Sequence, residues 1–319
     1  MRKFLNIALS TALELTRQPV FLVLLAGSIA FIAMLASIYY FGLGDDPRMV
    51  KQSVLALIFV TGLFSAALSA SSSVEREIRT GTALAVLSKP VGRMKFLLAK
   101  FVGLSLALAL QVSVQLLAGL LATRMAFDAY GSPDRPALAI LFAALALALI
   151  AAGASNFFAN RPFTSDAVLA VSGFTAAAFV TINFVNRAGE FQPFGSQVDW
   201  RLIPATALIW LALVVLAAIA IACSTRLEMV ATLSICSGVF LVGLMSDYVF
   251  GRPAAQGSWL GAALHTLVPN WQVFWMADAL ADGKTIPWIY VAKTSAYAAG
   301  HLIVALSLAL VMFEDRELS

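Results

Sequence analysis

Apolar runs longer than about 18 residues recur along the chain, separated by short breaks that gather most of its charges. Runs of that length mark membrane-spanning helices rather than the core of a soluble domain. About eight transmembrane helices are expected, near 20–41, 53–72, 101–122, 137–157, 167–185, 204–223, 229–250 and 289–313. The division between the fourth and fifth rests on Asn160, Arg161, Pro162 and Asp166, whose burial in hydrocarbon would be costly. Ahead of the first span, Phe4, Leu5, Ala8, Ala12 and Leu15 recur at steps of three and four, with Arg2, Lys3, Asn6 and Glu14 lying elsewhere. That pattern predicts an amphipathic helix over 1–19, closed by Pro19 and lying in the membrane interface.

Composition agrees with this reading. Of 319 residues, 61% are hydrophobic and only 12% charged, about half the charged share of a soluble domain. So apolar a chain cannot be disordered. Its Lys and Arg residues fall mostly in short loops, which argues against a nucleic-acid partner. Cys223 and Cys236 lack ligand spacing and read as small reduced hydrophobes. Glu14 and Arg17 interrupt the N-terminal apolar stretch, so no cleaved signal peptide is expected and the first span acts as its own insertion signal.

Charge placement gives an orientation. With the N-terminus cytoplasmic, twelve Lys and Arg residues fall inside and nine outside, and six of the twelve lie in the segment 73–100. The outside ones have acids nearby, such as Asp45, Asp46, Asp134 and Asp282. Both termini are therefore expected in the cytoplasm. All six tryptophans then gather toward the outer side, as an aromatic belt would. The outer loop 251–288 is expected to hold a short helix around Trp271, Phe274 and Trp275 lying in the outer interface, a partial re-entrant element being the alternative. The whole chain forms one transmembrane domain.

The loop after the second span carries the most information. Glu75, Arg76, Glu77 and Arg79 give a dense charge run; Gly81 ends one helix and Thr82 caps the next. Leu84 and Leu87 make an apolar side on a short helix, Ser88 and Pro90 stop it, and Arg93 opens a basic run into the third span. Such a helix, apolar on one side and rimmed by charge, suits a groove on a cytosolic partner. The plainer alternative is a basic loop that sets topology and touches anionic lipid.

This pattern, E-R-E-x-x-x-G-T followed by a short hydrophobic helix and S-K-P-V-x-R, resembles the cytoplasmic loop of ABC-2 type transporter permeases. Val268-Pro269-Asn270 before the last span and the exit Phe313-Glu314-Asp315-Arg316-Glu317-Leu318 add to the resemblance. The nearest branch holds the permeases of nitrous-oxide reductase maturation and gliding motility. Members usually have six core spans, fewer than the eight read here.

The resemblance implies the membrane subunit of an ATP-driven exporter in a prokaryotic plasma (inner) membrane. It implies a homodimer, or a heterodimer with a sister permease, carrying two copies of a separate ABC ATPase. Residues 75–96 would hold the coupling helix that seats in that ATPase. The chain has no G-x-x-x-x-G-K-[ST] phosphate cradle. It is therefore expected to be no enzyme itself and to hold no cofactor, ATP and Mg belonging to the ATPase partner.

Polar groups at membrane depth are functional candidates. Gln111 and Gln115 lie one turn apart on the third span, and Asp247 and Tyr248 lie near the outer end of the seventh. They could line a substrate path; interhelical hydrogen bonding is the alternative, and it is favoured for Asn183 and His301. Small residues among Ser65, Ser69, Ser71, Ser72 and Ser73 could form a packing face or a dimer seam. No catalytic or metal-ligating set stands out. An ATP-independent channel or secondary carrier would need internal repeats or broken, charged midplane helices. A lipid-modifying enzyme would need a His/Asp/Glu cluster at one interface.

Overall fold

The computed structural model describes residues 2–38, 46–79, 92–126 and 134–314, and the described residues are overwhelmingly helical. Helix α1 (Arg2–Thr16) leads at Pro19 into α2 (Pro19–Ser37). Helix α3 (Asp46–Ala70) continues through a π turn (Ser71–Glu75) into a last turn (Arg76–Arg79). There follow α4 (Arg93–Met125), α5 (Arg135–Ala159), α6 (Phe163–Asn183), α7 (Leu202–Ser224) and α8 (Met229–Leu244). The chain ends with the short helices α9 (Trp259–Leu267) and α10 (Ala277–Ala281) and the long α11 (Trp288–Glu314).

Among the described residues seven helices are long and apolar enough to cross a membrane, and eight if α8 and its bent continuation count as one span. This is a multi-pass membrane protein. Helix α7 is apolar all round and the most deeply buried span, as expected of a helix enclosed by others. It packs on α3, α4 and α11. Helices α5 and α6 pair as a hairpin at one side, leaving Phe142, Ile150, Phe157, Phe158 and Leu169 exposed. In lipid such a surface needs no cover. The fourth and fifth runs divide where expected: Asn160 adopts the left-handed conformation (φ 51°) that closes α5 before Pro162.

Helix α1 lies across α4 with Ala8, Thr11 and Leu15 buried beneath it. Gly103 permits this approach, since a Cβ there would sit 2.5 Å from the Ala8 carbonyl oxygen. The opposite flank of α1 exposes Leu5, Leu9 and Leu13.

The seventh run departs from the expected straight span. Helix α8 has 16 residues, about 24 Å, too short to cross alone. Its continuation (Asp247–Ala255, a π turn and one helical turn) is bent away by 58°. Helix α9 packs back on this continuation, and the chain then enters the bundle as a 3-10 turn (Trp271–Phe274) with both end side chains fully buried. Trp271 and Phe274 thus pack inside the helix bundle and not on its surface. Trp271 meets Phe59 of α3 and Phe240 of α8, and its indole Nε1 donates to the Val239 carbonyl at 3.2 Å. Gly243 opens the space: a Cβ there would lie 2.4 Å from both the Pro269 oxygen and the Trp271 indole. Trp271 is thus buried, whereas Trp200, Trp259 and Trp288 are exposed.

Candidate functional site

Ion pairs tie helix ends together and define the two ends of the bundle. At the α1 end, Lys100 of α4 is almost fully buried; its ammonium meets Glu77 at 2.5 Å and Glu14 at 3.9 Å. Ser72 donates to Gln18 Oε1 at 3.0 Å, bringing the end of α3 to the start of α2. Arg93 donates to the Glu314 carbonyl at 2.7 Å and stacks over the Phe313 ring, while Arg226 donates to the Met312 carbonyl at 2.8 Å. Both arginines thus satisfy carbonyls at the C-terminal end of α11 that have no intrahelical donor.

This end gathers the described part of the candidate coupling segment. Glu75 accepts from the Ser71 hydroxyl at 2.8 Å. Arg76 opens the last turn of α3 and Arg79 closes it. Glu77 and Arg93 bind α4 and α11 as above. Gly81, Thr82, Leu84, Leu87, Ser88 and Pro90 lie outside the described residues. The segment that contains them joins the end of α3 to the start of α4, two helices locked to one another beside it.

At the opposite end, Asp199 receives hydrogen bonds from Lys51 at the start of α3 and from Arg201 Nε at 2.8 Å. Partial burial would raise its pKa, but those two donors outweigh it and hold the carboxyl at about 2. The same carboxylate raises the Arg201 guanidinium above its ordinary value. Arg124 and Asp134 form a buried pair at 3.4 Å, and Arg124 also donates to the Ile182 and Val185 carbonyls at the end of α6.

Between the ends lies a polar centre. Gln115 Nε2 donates to Ser28 Oγ of α2 at 2.6 Å and to Thr61 Oγ1 of α3 at 2.9 Å. Three helices meet at this one amide. Gln111 is fully buried one turn away, and neither of its amide atoms has a partner among the described residues. Asn183, also buried, donates to the Phe179 carbonyl at 2.7 Å, a local structural role.

Asp247 and Tyr248 stand apart from the glutamines, on the bent continuation of α8. Asp247 Oδ1 accepts from His265 Nε2 at 3.0 Å and from Asn270 Nδ2 at 2.7 Å. Tyr248 is exposed, with Arg252 stacked 4.4 Å from its ring centroid. The residues read together as one path are therefore two separate groups. The polar partners Ser28 and Thr61 escaped the sequence reading, because hydroxyls in apolar helices carry no pattern of their own.

Open cavities flank these helices, three of them among the described residues as follows. One of about 630 Å³ lies between α3, α8 and the 3-10 turn, lined by Phe59, Phe240, Gln272, Trp275 and Asp278. A second, about 290 Å³, lies between α4 and α7 beside Thr206 and Trp210. The third, about 550 Å³, lies between the α9 turn and α11 and is lined by both histidines of the chain. Among the described residues no group of three or more His, Cys, Asp or Glu side chains could hold a metal ion. No known protein-family model matches the chain, and no curated protein sequence matches it.

Proposed function

We propose that this protein is the membrane-spanning permease subunit of an ATP-binding-cassette exporter, moved by a separate cytosolic ATPase. The observation that carries the reading is the junction around 80–91. The two helices that flank this segment are clamped beside it by Lys100 and Glu77, and further in by Gln115 and Thr61. A partner pushing on the segment would displace α3 and α4 together, and through Gln115 and Ser28 also α2. Arg93 would carry the same push to the end of α11.

In this reading the α1 end faces the cytoplasm of a prokaryotic cell. Helix α1 lies in the membrane interface, its Leu5, Leu9 and Leu13 turned to lipid. Leu84 and Leu87 enter the ATPase cleft, with Glu75, Arg76, Arg79 and Arg93 around it. ATP and Mg bind on two ATPase copies, and two permease chains, alike or sister, form the pore. Export is the direction that the resemblance implies.

The experiment is co-purification from mild detergent with the neighbouring genes co-expressed, for wild type and for Leu84→Asp plus Leu87→Asp. An ATPase that elutes with wild type and is lost from the inserted double variant supports the reading. Absence of any ATPase with wild type removes it.

A second reading has an observation of its own. The break in the seventh run, with Asp247 at the bend, is the kind of discontinuous helix that secondary carriers use to bind ions. Uptake or efflux by the purified chain alone in vesicles, driven by an ion gradient and indifferent to ATP, would favour it.

A further inference from the structure

We propose that the hairpin over 184–194, between α6 and α7, is a membrane anchor whose phenylalanine rings sit among the lipids at the end of the bundle opposite α1. The proposal rests on the multi-pass fold and not on the exporter reading. Val185 and Phe191 face each other in an antiparallel bridge. The Gln192 N–H donates to the Phe184 carbonyl and the Asn186 N–H to the Glu190 carbonyl, both at 2.8 Å. Gly189 (φ 85°) lies in the turn, where Asn186 Oδ1 accepts from the backbone N–H groups of Ala188 and Glu190. Backbone groups paired within the hairpin let it leave water at little cost.

Its large apolar side chains are not turned inward. Phe191 is 83% exposed, Phe194 46% and the following Trp200 43%. They form one cluster with Phe184. Phe191 stacks on Phe184 with centroids 5.5 Å apart, and Phe194 lies 5.4 Å from Phe184 and 6.5 Å from Trp200. Gly195 (φ 74°) gives the Trp200 indole its place, since a Cβ there would meet the ring at 2.7 Å.

Two observations identify lipid as the cover for this cluster. The first is depth. Phe194 and Trp200 both meet Phe179, at 6.1 and 6.3 Å between centroids. Phe179 lies about 6 Å inward from the Asn183 end of α6. Helix α6 is itself about 31 Å long, close to the thickness of a bilayer's hydrocarbon. The two rings therefore fold back beside the last turn of a spanning helix instead of standing above it.

The second observation is continuity. Leu169, Gly173, Ala177 and Val180 form an exposed stripe on α6, at steps of four, four and three. One further step of four reaches Phe184, and Phe191 is stacked on that ring. The cluster thus extends the surface that α6 turns to lipid. The exposed charges of the hairpin, Arg187 and Glu190, belong to its tip. Aromatic rings level with a span end, with a polar tip beyond them, are the arrangement of an interfacial anchor.

The test uses the full chain in phosphatidylcholine nanodiscs, with Cys223 and Cys236 replaced by alanine. Single cysteines at Phe191→Cys, Val180→Cys and Ala188→Cys each carry a nitrobenzoxadiazole fluorophore. Quenching by a lipid with a nitroxide near its head group is compared with quenching by aqueous iodide. We expect lipid quenching at Phe191→Cys to be within about twofold of that at Val180→Cys and about fivefold that at Ala188→Cys. Iodide should give the reverse order. Adding Phe194→Asp should cut lipid quenching at Phe191→Cys about threefold and leave Val180→Cys unchanged, which shows the bundle intact. Iodide quenching at Phe191→Cys equal to that at Ala188→Cys would put the hairpin in water. Quenching by neither agent would put it against a protein surface, a second copy of the chain included. Lipid quenching indifferent to Phe194→Asp would show that the rings do not hold the hairpin in place. Any of these three results overturns the proposal and leaves the exporter reading untouched.

Discussion

Four residues show how single positions set this bundle's stability. Asp199 has an ordinary pKa of 3.8 and is held at about 2 in the folded chain. A depressed carboxyl contributes stability that is complete above the unfolded value and lost as pH falls through the folded one. Wild type should therefore be more stable than Asp199→Asn at pH 6, and the gap should close between pH 4 and pH 2. Thermal unfolding in detergent across that range reads it directly; a gap independent of pH would show that the Lys51 and Arg201 contacts contribute nothing through charge. Gly243 answers to sterics instead. Gly243→Ala drives a methyl against the Pro269 oxygen and the Trp271 indole, and overpacking of this kind costs about 1–3 kcal/mol. A lower unfolding temperature with red-shifted tryptophan emission is the expected signature. The two buried glutamines should behave oppositely. Gln115→Leu removes bonds to Ser28 and Thr61 and should cost about 1 kcal/mol, within the range for interhelical bonds in membranes. Gln111→Leu removes an amide without partners among the described residues, so stability should hold or rise. If transport nonetheless falls in Gln111→Leu, its amide serves the substrate and not the fold.

At the scale of elements, the junction of α3 and α4 and the break after α8 differ in how far the sequence reveals them. Charge density and the Gly-Thr and Ser-Lys-Pro punctuation mark the junction, because helix ends and basic loops leave a local trace. The partners of Lys100 are not local: Glu14 and Glu77 come from two other helices, and only packing brings them to one ammonium. Glu77→Ala should destabilise the chain by about 3 kcal/mol, since breaking a buried pair strands a charge. Lys100→Met, which removes the charge and keeps the apolar stem, should cost less. The reverse order in thermal unfolding would mean that the ammonium is hydrated. The break after α8 hides within the continuous apolar run 229–250, where nothing local forbids a straight helix. What lies beside it is tertiary: the Pro269 carbonyl and the Trp271 indole pack against Gly243. The spacing of Trp271, Phe274 and Trp275 fits a turn of either helix type, and periodicity alone carries no trace of the partners that bury Trp271 and Phe274. His265 and His301 are distant in sequence, and only the packing of the chain after α9 against α11 brings them to one crevice.

For the whole molecule the decisive question is which end meets the cytoplasm. The ion pairs fix which helix ends lie together: α3 ends, and α4 and α8 begin, where α1 and the end of α11 lie. The turn between α5 and α6 falls on that side by the same alternation, and the 184–201 loop on the other. Basic residues are more numerous at the α1 end, with six in 73–100 alone, and such an excess favours the cytoplasmic face. Single cysteines can read this after Cys223 and Cys236 are replaced by alanine. Ala159→Cys lies at the α5–α6 turn and Ala188→Cys in the opposite loop, both at exposed positions. A membrane-impermeant maleimide added to intact cells should label Ala188→Cys at once and Ala159→Cys only after lysis. The opposite pattern would put residues 80–91 outside the cell, beyond reach of any cytosolic ATPase. The exporter reading would then fall, while the bundle, its polar centre and its crevice would stand.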